Sequence, residues 1–310
     1  MTDVVAVDTV EEPPEAGSEA FAVRTSGLTK RFGELFAVRD LTLEVPTGSV
    51  FGLIGPNGAG KSTTLSILAT VLTPTSGTAR VAGCDPVRDA RGVRRKVGYM
   101  PDVLGVYDNL SVQEYLEFFA AAYSLHRSSW KGLVDGLLEL VGLEVKRTAM
   151  VESLSRGMKQ RLALARALVH DPEVLLLDEP ASGLDPRARV ELRVLLAELQ
   201  AMGKTIVISS HILSEMEEMC SHIAIMEAGR LLAVGPPKEI GAQVAAVAGR
   251  QVTVHLAGGE VRTFTVADEA EQQALLRRLV VDEGLAVVEF RVEGSGLEDV
   301  FLRVTEGTLQ

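Results

Sequence analysis

Short runs of alternating apolar positions fill residues 21–45 and break at Gly33-Glu34, which predicts two strands joined by a turn. A third strand is predicted at Ser49–Ile54. It is followed by a glycine-rich loop and a segment in which Leu65, Leu68 and Leu72 share one helical face, with Ile67 and Val71 beside them. That pattern predicts a helix from Lys61 to about Leu72, buried on two sides. Residues from about 104 to 169 read as mostly helical. Ser111 with Glu114 forms a capping box ahead of Tyr115, Phe118, Phe119 and Tyr123, and Met158, Leu162, Ala165 and Val169 make one apolar stripe. The continuous apolar runs Val174–Leu177 and Thr205–Ile208 are predicted as strands covered on both faces. Between them Asp185-Pro186 opens a helix, Leu192, Leu195, Leu199 and Met202 mark its core face, and Gly203 closes it. Strand, helix and strand at this spacing make a βαβ unit and hence a parallel sheet.

Gly235-Pro236-Pro237 reads as a boundary. Beyond it the pattern predicts strands at 252–256, 261–266 and 286–292, and helices at 269–279 and 297–304, a small α+β appendage. The expected organisation is a disordered acidic tail over 1–20, an α/β domain over 21–235 with its helical subdomain at about 104–169, and an accessory domain over 236–310.

Composition narrows the class. The chain has 310 residues, 46% hydrophobic and 24% charged, which is ordinary for a globular protein. Its net charge of -11 argues against a nucleic-acid partner, because affinity for phosphate backbones rests on clustered basic charge. More than half of that excess lies in the tail, where Asp3, Asp8, Glu11, Glu12, Glu15 and Glu19 occur without a Lys or Arg. Cys84 and Cys220, the two cysteines, follow no disulfide or zinc spacing. No apolar run is long enough to span a bilayer, and the N-terminus lacks the basic start and apolar middle of a signal peptide. A cytoplasmic chain is expected.

Two motifs carry chemistry. Gly55-Pro56-Asn57-Gly58-Ala59-Gly60-Lys61-Ser62, followed by Thr63, matches G-x-x-x-x-G-K-[ST] and sits between a predicted strand and a predicted helix. Its backbone N–H groups can turn inward around phosphates at a positive helix end, with Lys61 reaching the β/γ-phosphates and the Ser62 hydroxyl ligating Mg²⁺. A tight turn capping a helix is the bland alternative, and it leaves Lys followed by Ser unexplained. Asp178-Glu179 closes the Val174 strand, where ligand chemistry gathers in open α/β sheets. There Asp178 can join the metal shell and Glu179 can orient or deprotonate an attacking water. Taken alone, the pair reads as loop acids capping the next turn, since Asp-Glu pairs are common; beside the phosphate loop that reading gives way.

Leu154-Ser155-Arg156-Gly157 precedes the Met158 stripe and by itself reads as an N-cap. Together with the phosphate loop, Asp178-Glu179, Ser182-Gly183-Leu184-Asp185 and His211, in the order phosphate loop, Leu154 segment, acid pair, Ser182 segment and histidine, it makes the chain resemble the ATP-binding subunit of an ABC transporter over about 21–235. The resemblance implies an α/β P-loop NTPase of the ABC type: a mostly parallel core sheet, an N-terminal antiparallel β subdomain and a helical subdomain. It implies ATP and Mg²⁺, and two subunits (a homodimer or a pair with a homologous ATPase subunit) that sandwich the nucleotide. It also implies a separate transmembrane permease that would hold the chain on the inner face of the cell membrane.

By the same resemblance, Ser155 and Gly157 would contact the γ-phosphate held by the other subunit, Asp185 would line the seam, and His211 would contact the γ-phosphate and help position Glu179. Phe32 resembles the aromatic that stacks on adenine, with a core phenylalanine as the alternative. Two positions depart from the family pattern. Asp102 stands where the family has a glutamine, and a carboxylate there can still ligate Mg²⁺. Arg156 replaces a small residue and could meet an anion or face solvent. The segment ending Leu297–Leu302 resembles that of drug- and antibiotic-export ATPases, which favours export. A non-transport ABC ATPase and a soluble P-loop phosphotransferase are the rival readings.

Overall fold

The computed structural model describes residues 20–103, 105, 109–240, 250–266 and 269–293. The acidic segment 1–19, Tyr107 and the expected helix at 297–304 lie outside these residues. Strands β1 (Phe21–Phe32) and β2 (Leu35–Pro46) pair antiparallel across the Gly33-Glu34 turn. The other edge of β1 takes β4 (Ser76–Val81), giving the order β2-β1-β4.

The central sheet has six strands: β3 (Val50–Ile54), β5 (Val97–Met100), β6 (Val174–Asp178), β7 (Thr205–Ser210), β8 (His222–Glu227) and β9 (Arg230–Gly235). Their order is β5-β6-β7-β3-β8-β9, parallel except for the antiparallel β9. Every residue of β3, β6 and β7 is buried, so both faces are covered. The period of two divides β6 cleanly between two cores. Val174 and Leu176 pack with α1 (Lys61–Leu68) and the β1-β2-β4 sheet. Leu175 and Leu177 pack with α3 (Val112–Ala122), α4 (Trp130–Leu140), α5 (Arg156–Leu168) and α6 (Pro186–Ala201). Two shorter helices, α2 (Ala90–Lys96) and α7 (Leu213–Met219), complete this part of the chain.

Several elements end differently from the sequence pattern. Helix α1 stops at Leu68 rather than near Leu72 because the chain closes on itself: Thr70 takes φ 64°, Thr70 N–H donates to Ile67 O and Val71 N–H to Ser66 O. This is a Schellman closure, and it leaves Val71 exposed. Met202, predicted on the core face of α6, instead caps the helix and is 65% exposed, since the helical period ends one residue earlier. Phe118 is 47% exposed, whereas Tyr115 fills the helical core, with Phe119 edge-on to it. The capping box at Ser111 and Glu114 forms as predicted. The last described unit is a small antiparallel sheet, β11-β10-β12, made by β10 (Arg250–Leu256), β11 (Val261–Val266) and β12 (Val287–Glu293). Helix α8 (Glu269–Arg277) passes into a five-residue π turn rather than running on to Leu279. The core of this unit is Val252, Val254, Leu256, Val266, Leu275 and Leu279.

Candidate functional site at the strand ends

The loop 55–60 joins the end of β3 to α1. Gly60 is the N-cap of α1 at φ 103°, and a Cβ on Gly55 would lie 2.2 Å from the Met226 carbonyl oxygen. Side chains are therefore excluded where the loop wraps closest. Lys61 is only 5% exposed; its Nζ donates to Gly55 O at 2.6 Å and Pro56 O at 3.2 Å. The same ammonium stands 3.5 Å from Glu179 Oε1, so the buried cation has a carboxylate counter-charge.

Asp178, at the end of β6, is buried and satisfied by two hydroxyls. Ser62 Oγ donates to its Oδ1 at 2.9 Å and Ser209 Oγ, from β7, at 2.6 Å. Ser209 Oγ also accepts the Glu179 N–H at 2.9 Å. Glu179 sits at φ 49°, a left-handed conformation that strains a non-glycine residue by about 1–2 kcal/mol. It is held there by Ser209, by Lys61 and by His211, whose Nδ1–H donates to Oε2 at 2.9 Å. Behind this group, burial pushes the Glu215 carboxyl above its ordinary range, with Arg189 Nη1 at 2.6 Å pulling the other way.

A second cluster forms where α5 starts. Ser155 is its N-cap and accepts the Met158 N–H. Arg156 does not point to solvent alone: its Nη2 donates to Ser182 Oγ at 3.3 Å and its guanidinium lies over Gly183. Gln160 Nε2 donates to Ser182 O at 2.8 Å, and Gly157 faces Leu184. Ser182 N–H in turn donates to Glu179 O at 3.0 Å, so the loop between β6 and α6 runs from Glu179 to the start of α5. Asp185 caps α6 by accepting the Ala188 N–H at 2.8 Å.

The structure thus brings Lys61, Ser62, Asp178, Glu179 and His211 together, and gathers Ser155, Gly157 and Asp185 in a neighbouring group. Phe32 is exposed at the β1 end, with the Lys30 ammonium 4.9 Å from its ring, which rules out the core alternative. Asp102 is exposed two residues past β5. Sequence reasoning missed Ser209, Gln160 and the Arg189–Glu215 pair. Ser209 carries a readable signal, a hydroxyl just past the predicted Thr205–Ile208 strand and two residues before His211, but nothing along the chain pairs it with Asp178; the pairing of the strands does.

Magnesium and a nucleoside triphosphate fit these residues. The Ser62 hydroxyl and the Asp178 carboxylate bring two hard oxygen donors to one place. That suits an ion that keeps waters and shares phosphate oxygens. The loop around Lys61 is a cradle that a Cβ at Gly55 or Gly60 would fill.

Comparison with known proteins agrees. The ABC transporter family matches residues 38–182. The chain is 36% identical to the Nod factor export ATP-binding protein I of Ralstonia nicotianae, over 95% of this chain and 97% of that one. It is similar to the solved cbiO1 of Clostridium perfringens, part of the ABC transporter complex cbiONQ, with TM-score 0.66 and 30% identity over 73% of this chain and 92% of the other. It is also similar to a dimeric ATP-binding cassette in a post-hydrolysis state with ADP and phosphate, with TM-score 0.64 and 25% identity over 69% and 98%. The fold is that of the P-loop ATPases of ABC type. The chain belongs to the ABC transporter family as an ATP-binding subunit, an ATPase that uses ATP with Mg²⁺.

Proposed function

We propose that this chain hydrolyses ATP between two subunits to drive export through a separate membrane-spanning permease. The observation that carries the reading is Glu179, fixed in a strained conformation at the end of β6 between Lys61, Ser209 and His211. In this assignment the 55–60 amides and Lys61 hold the β- and γ-phosphates, Ser62 and Asp178 hold the magnesium ion, and Thr63 contacts the phosphates at the start of α1. Bound magnesium supplies charge neutralisation on the phosphate oxygens. Glu179 accepts the proton of the attacking water, and His211 keeps its carboxylate aimed. Phe32 stacks on the adenine ring, and Asp102 offers a further oxygen to the metal shell.

Ser155 and Gly157 have no hydrogen bond or ion pair to Lys61, Ser62 or Thr63 among the described residues. They serve the γ-phosphate of a second copy or homologous subunit, with Asp185 at the seam. The ATPase unit spans 21–235, and 236–310 is an accessory unit. Export follows the names of the relatives, which are export ATP-binding proteins. Among the described residues no helix is long and apolar enough to cross a membrane. In this reading the membrane path belongs to another chain, which holds this one on the inner face. The cleft of about 490 Å³ bordered by Val71, Arg94, Tyr99, Phe119, Tyr123 and Arg166 receives a permease loop.

Glu179→Gln tests the catalytic assignment: ATP binding persists, turnover falls by about 10²–10⁴-fold, and an ATP-bound dimer accumulates. Turnover near wild type refutes it. Affinity purification of the tagged chain from detergent-solubilised membranes tests transport. A polytopic membrane protein in comparable amount supports it, and soluble partners alone overturn it while leaving the ATPase intact.

A further inference from the structure

Arg189, on α6, reaches in two directions. Its Nε donates to Leu184 O at 3.1 Å, and its Nη1 stands 2.6 Å from Glu215 Oε1 in the first turn of α7. One turn further along α6, Arg193 pairs with Glu218, so two ion pairs tie these helices together. Both helices start beside the site: α6 follows the loop that leaves Glu179, and α7 begins two residues after His211.

Glu215 is the unusual member of this group. Its side chain is only 14% exposed, yet among the described residues neither carboxylate oxygen accepts a well-angled hydrogen bond, so the approach of Arg189 is a contact of charges. Burial does most to raise its pKa; Arg189 and His211 pull it down and Glu179 pushes it up, so its charge is felt by both site residues. A buried carboxylate with unused acceptor positions draws in any donor within its reach, because leaving it unmatched is costly. His211, four residues ahead of Glu215, carries such a donor, the Nδ1–H that serves Glu179 Oε2 at 2.9 Å.

We propose that Arg189 is a positioning residue for ATP hydrolysis: its guanidinium occupies Glu215 and thereby leaves the His211 imidazole to Glu179. Two carboxylates compete for one imidazole, and the guanidinium decides between them. With the guanidinium gone, Glu215 draws the imidazole off Glu179, and the Glu179 carboxylate loses its aim at the attacking water. The inference rests on the roles proposed above for Glu179 and His211.

The test measures steady-state ATP turnover and a denaturant midpoint for the full chain and four variants: Arg189→Gln, Arg189→Lys, Arg189→Gln with Glu215→Gln, and Glu179→Gln as the reference. In Arg189→Gln, kcat falls by about tenfold or more while KM for ATP moves by no more than about threefold, since the phosphate loop is untouched. Arg189→Lys keeps a cation beside Glu215 and holds kcat within about threefold of wild type, because a contact of charges does not need the guanidinium fork. The double variant removes the competitor together with the guanidinium, so kcat returns to within about threefold of wild type although the bond to Leu184 O is still missing. Wild-type kcat in Arg189→Gln overturns the inference. So does a folded double variant with kcat still about tenfold down, since Arg189 then acts only by holding the loop and the two helices. The double variant leaves no unmatched charge and carries the test even if Arg189→Gln fails to fold. A slow Glu179→Gln beside an unimpaired Arg189→Gln sinks this inference alone, whereas wild-type turnover in Glu179→Gln refutes the functional reading and takes this inference with it.

Discussion

Replacing Ser209 by Ala deletes one hydroxyl and strands two neighbours. Ser209 Oγ donates to the buried Asp178 carboxylate at 2.6 Å and accepts the Glu179 N–H at 2.9 Å, in a position fully shielded from solvent. A hydrogen bond to a charged group contributes about 1.5–3 kcal/mol and a neutral one about 0.5–1.5 kcal/mol. Asp178 keeps the Ser62 hydroxyl, so part of the first contribution survives. The expected loss is about 2–4 kcal/mol, divided between global stability and the local hold on Glu179. With Glu179 in a left-handed conformation, losing the bond to its N–H lets the peptide relax and the carboxylate swing. If about half of the loss falls on the transition state, turnover drops by about 5–30-fold, at about 1.4 kcal/mol per decade. The assay pairs steady-state phosphate release with a denaturant midpoint and a nucleotide titration. Ser209→Ala should slow turnover and lower the midpoint while ATP affinity changes by no more than about threefold, since Lys61 and the 55–60 amides are untouched. Wild-type turnover in a variant of wild-type stability refutes the reasoning, and so does a collapse of ATP affinity.

Three further outcomes follow from the geometry. Gly55→Ala drives a methyl to 2.2 Å from a backbone oxygen of β8, which cannot rotate away, so stability should fall by about 1–3 kcal/mol and ATP binding should weaken in a titration. His170 stacks on Tyr123 with ring centroids 3.9 Å apart, and burial lowers its pKa below 6.5, against the smaller opposing pull of the Val97 carbonyl and Asp171. The unfolded chain then binds the proton more tightly, so stability from neutral His170 is present above pH 6.5 and is lost as pH falls from there through the folded value; His170→Gln should flatten that part of a stability–pH curve. Burial pushes the Cys220 thiol up to about 12, so iodoacetamide at pH 8 should label Cys84 alone in the folded chain and both thiols in urea.

Contiguous features are legible in the order of residues alone. The phosphate loop is eight adjacent residues, the capping box spans four, and the β6–α6–β7 unit announces itself by two apolar runs around a capped helix. Features set by one residue's neighbours in space are not. The end of α1 depends on Thr70 adopting a left-handed turn, Met202 on the last turn of α6, and Phe118 on which side of α3 the helical core claims. The alternation that sorts Val174 and Leu176 from Leu175 and Leu177 can be counted along the chain, yet which core each pair enters comes from the sheet order.

The sequence by itself determined the chemistry that local geometry can build. Glycines where the loop wraps closest, a lysine and a serine at the first turn of a helix, and two acids at a strand end are each set among near neighbours in the chain, so their spacing already fixes their local relation. Only the tertiary structure decided the rest of the site. Ser62 meets Asp178 across 116 residues, Ser209 joins both acids from the adjacent strand, His211 closes on Glu179, and Arg156 lies on the loop that carries Ser182. The residues of these bonds stand at the ends of parallel strands or on helices and loops around them; the register of those strands is set by burying both faces of the sheet, and burial is a property of the whole chain rather than of any segment of it.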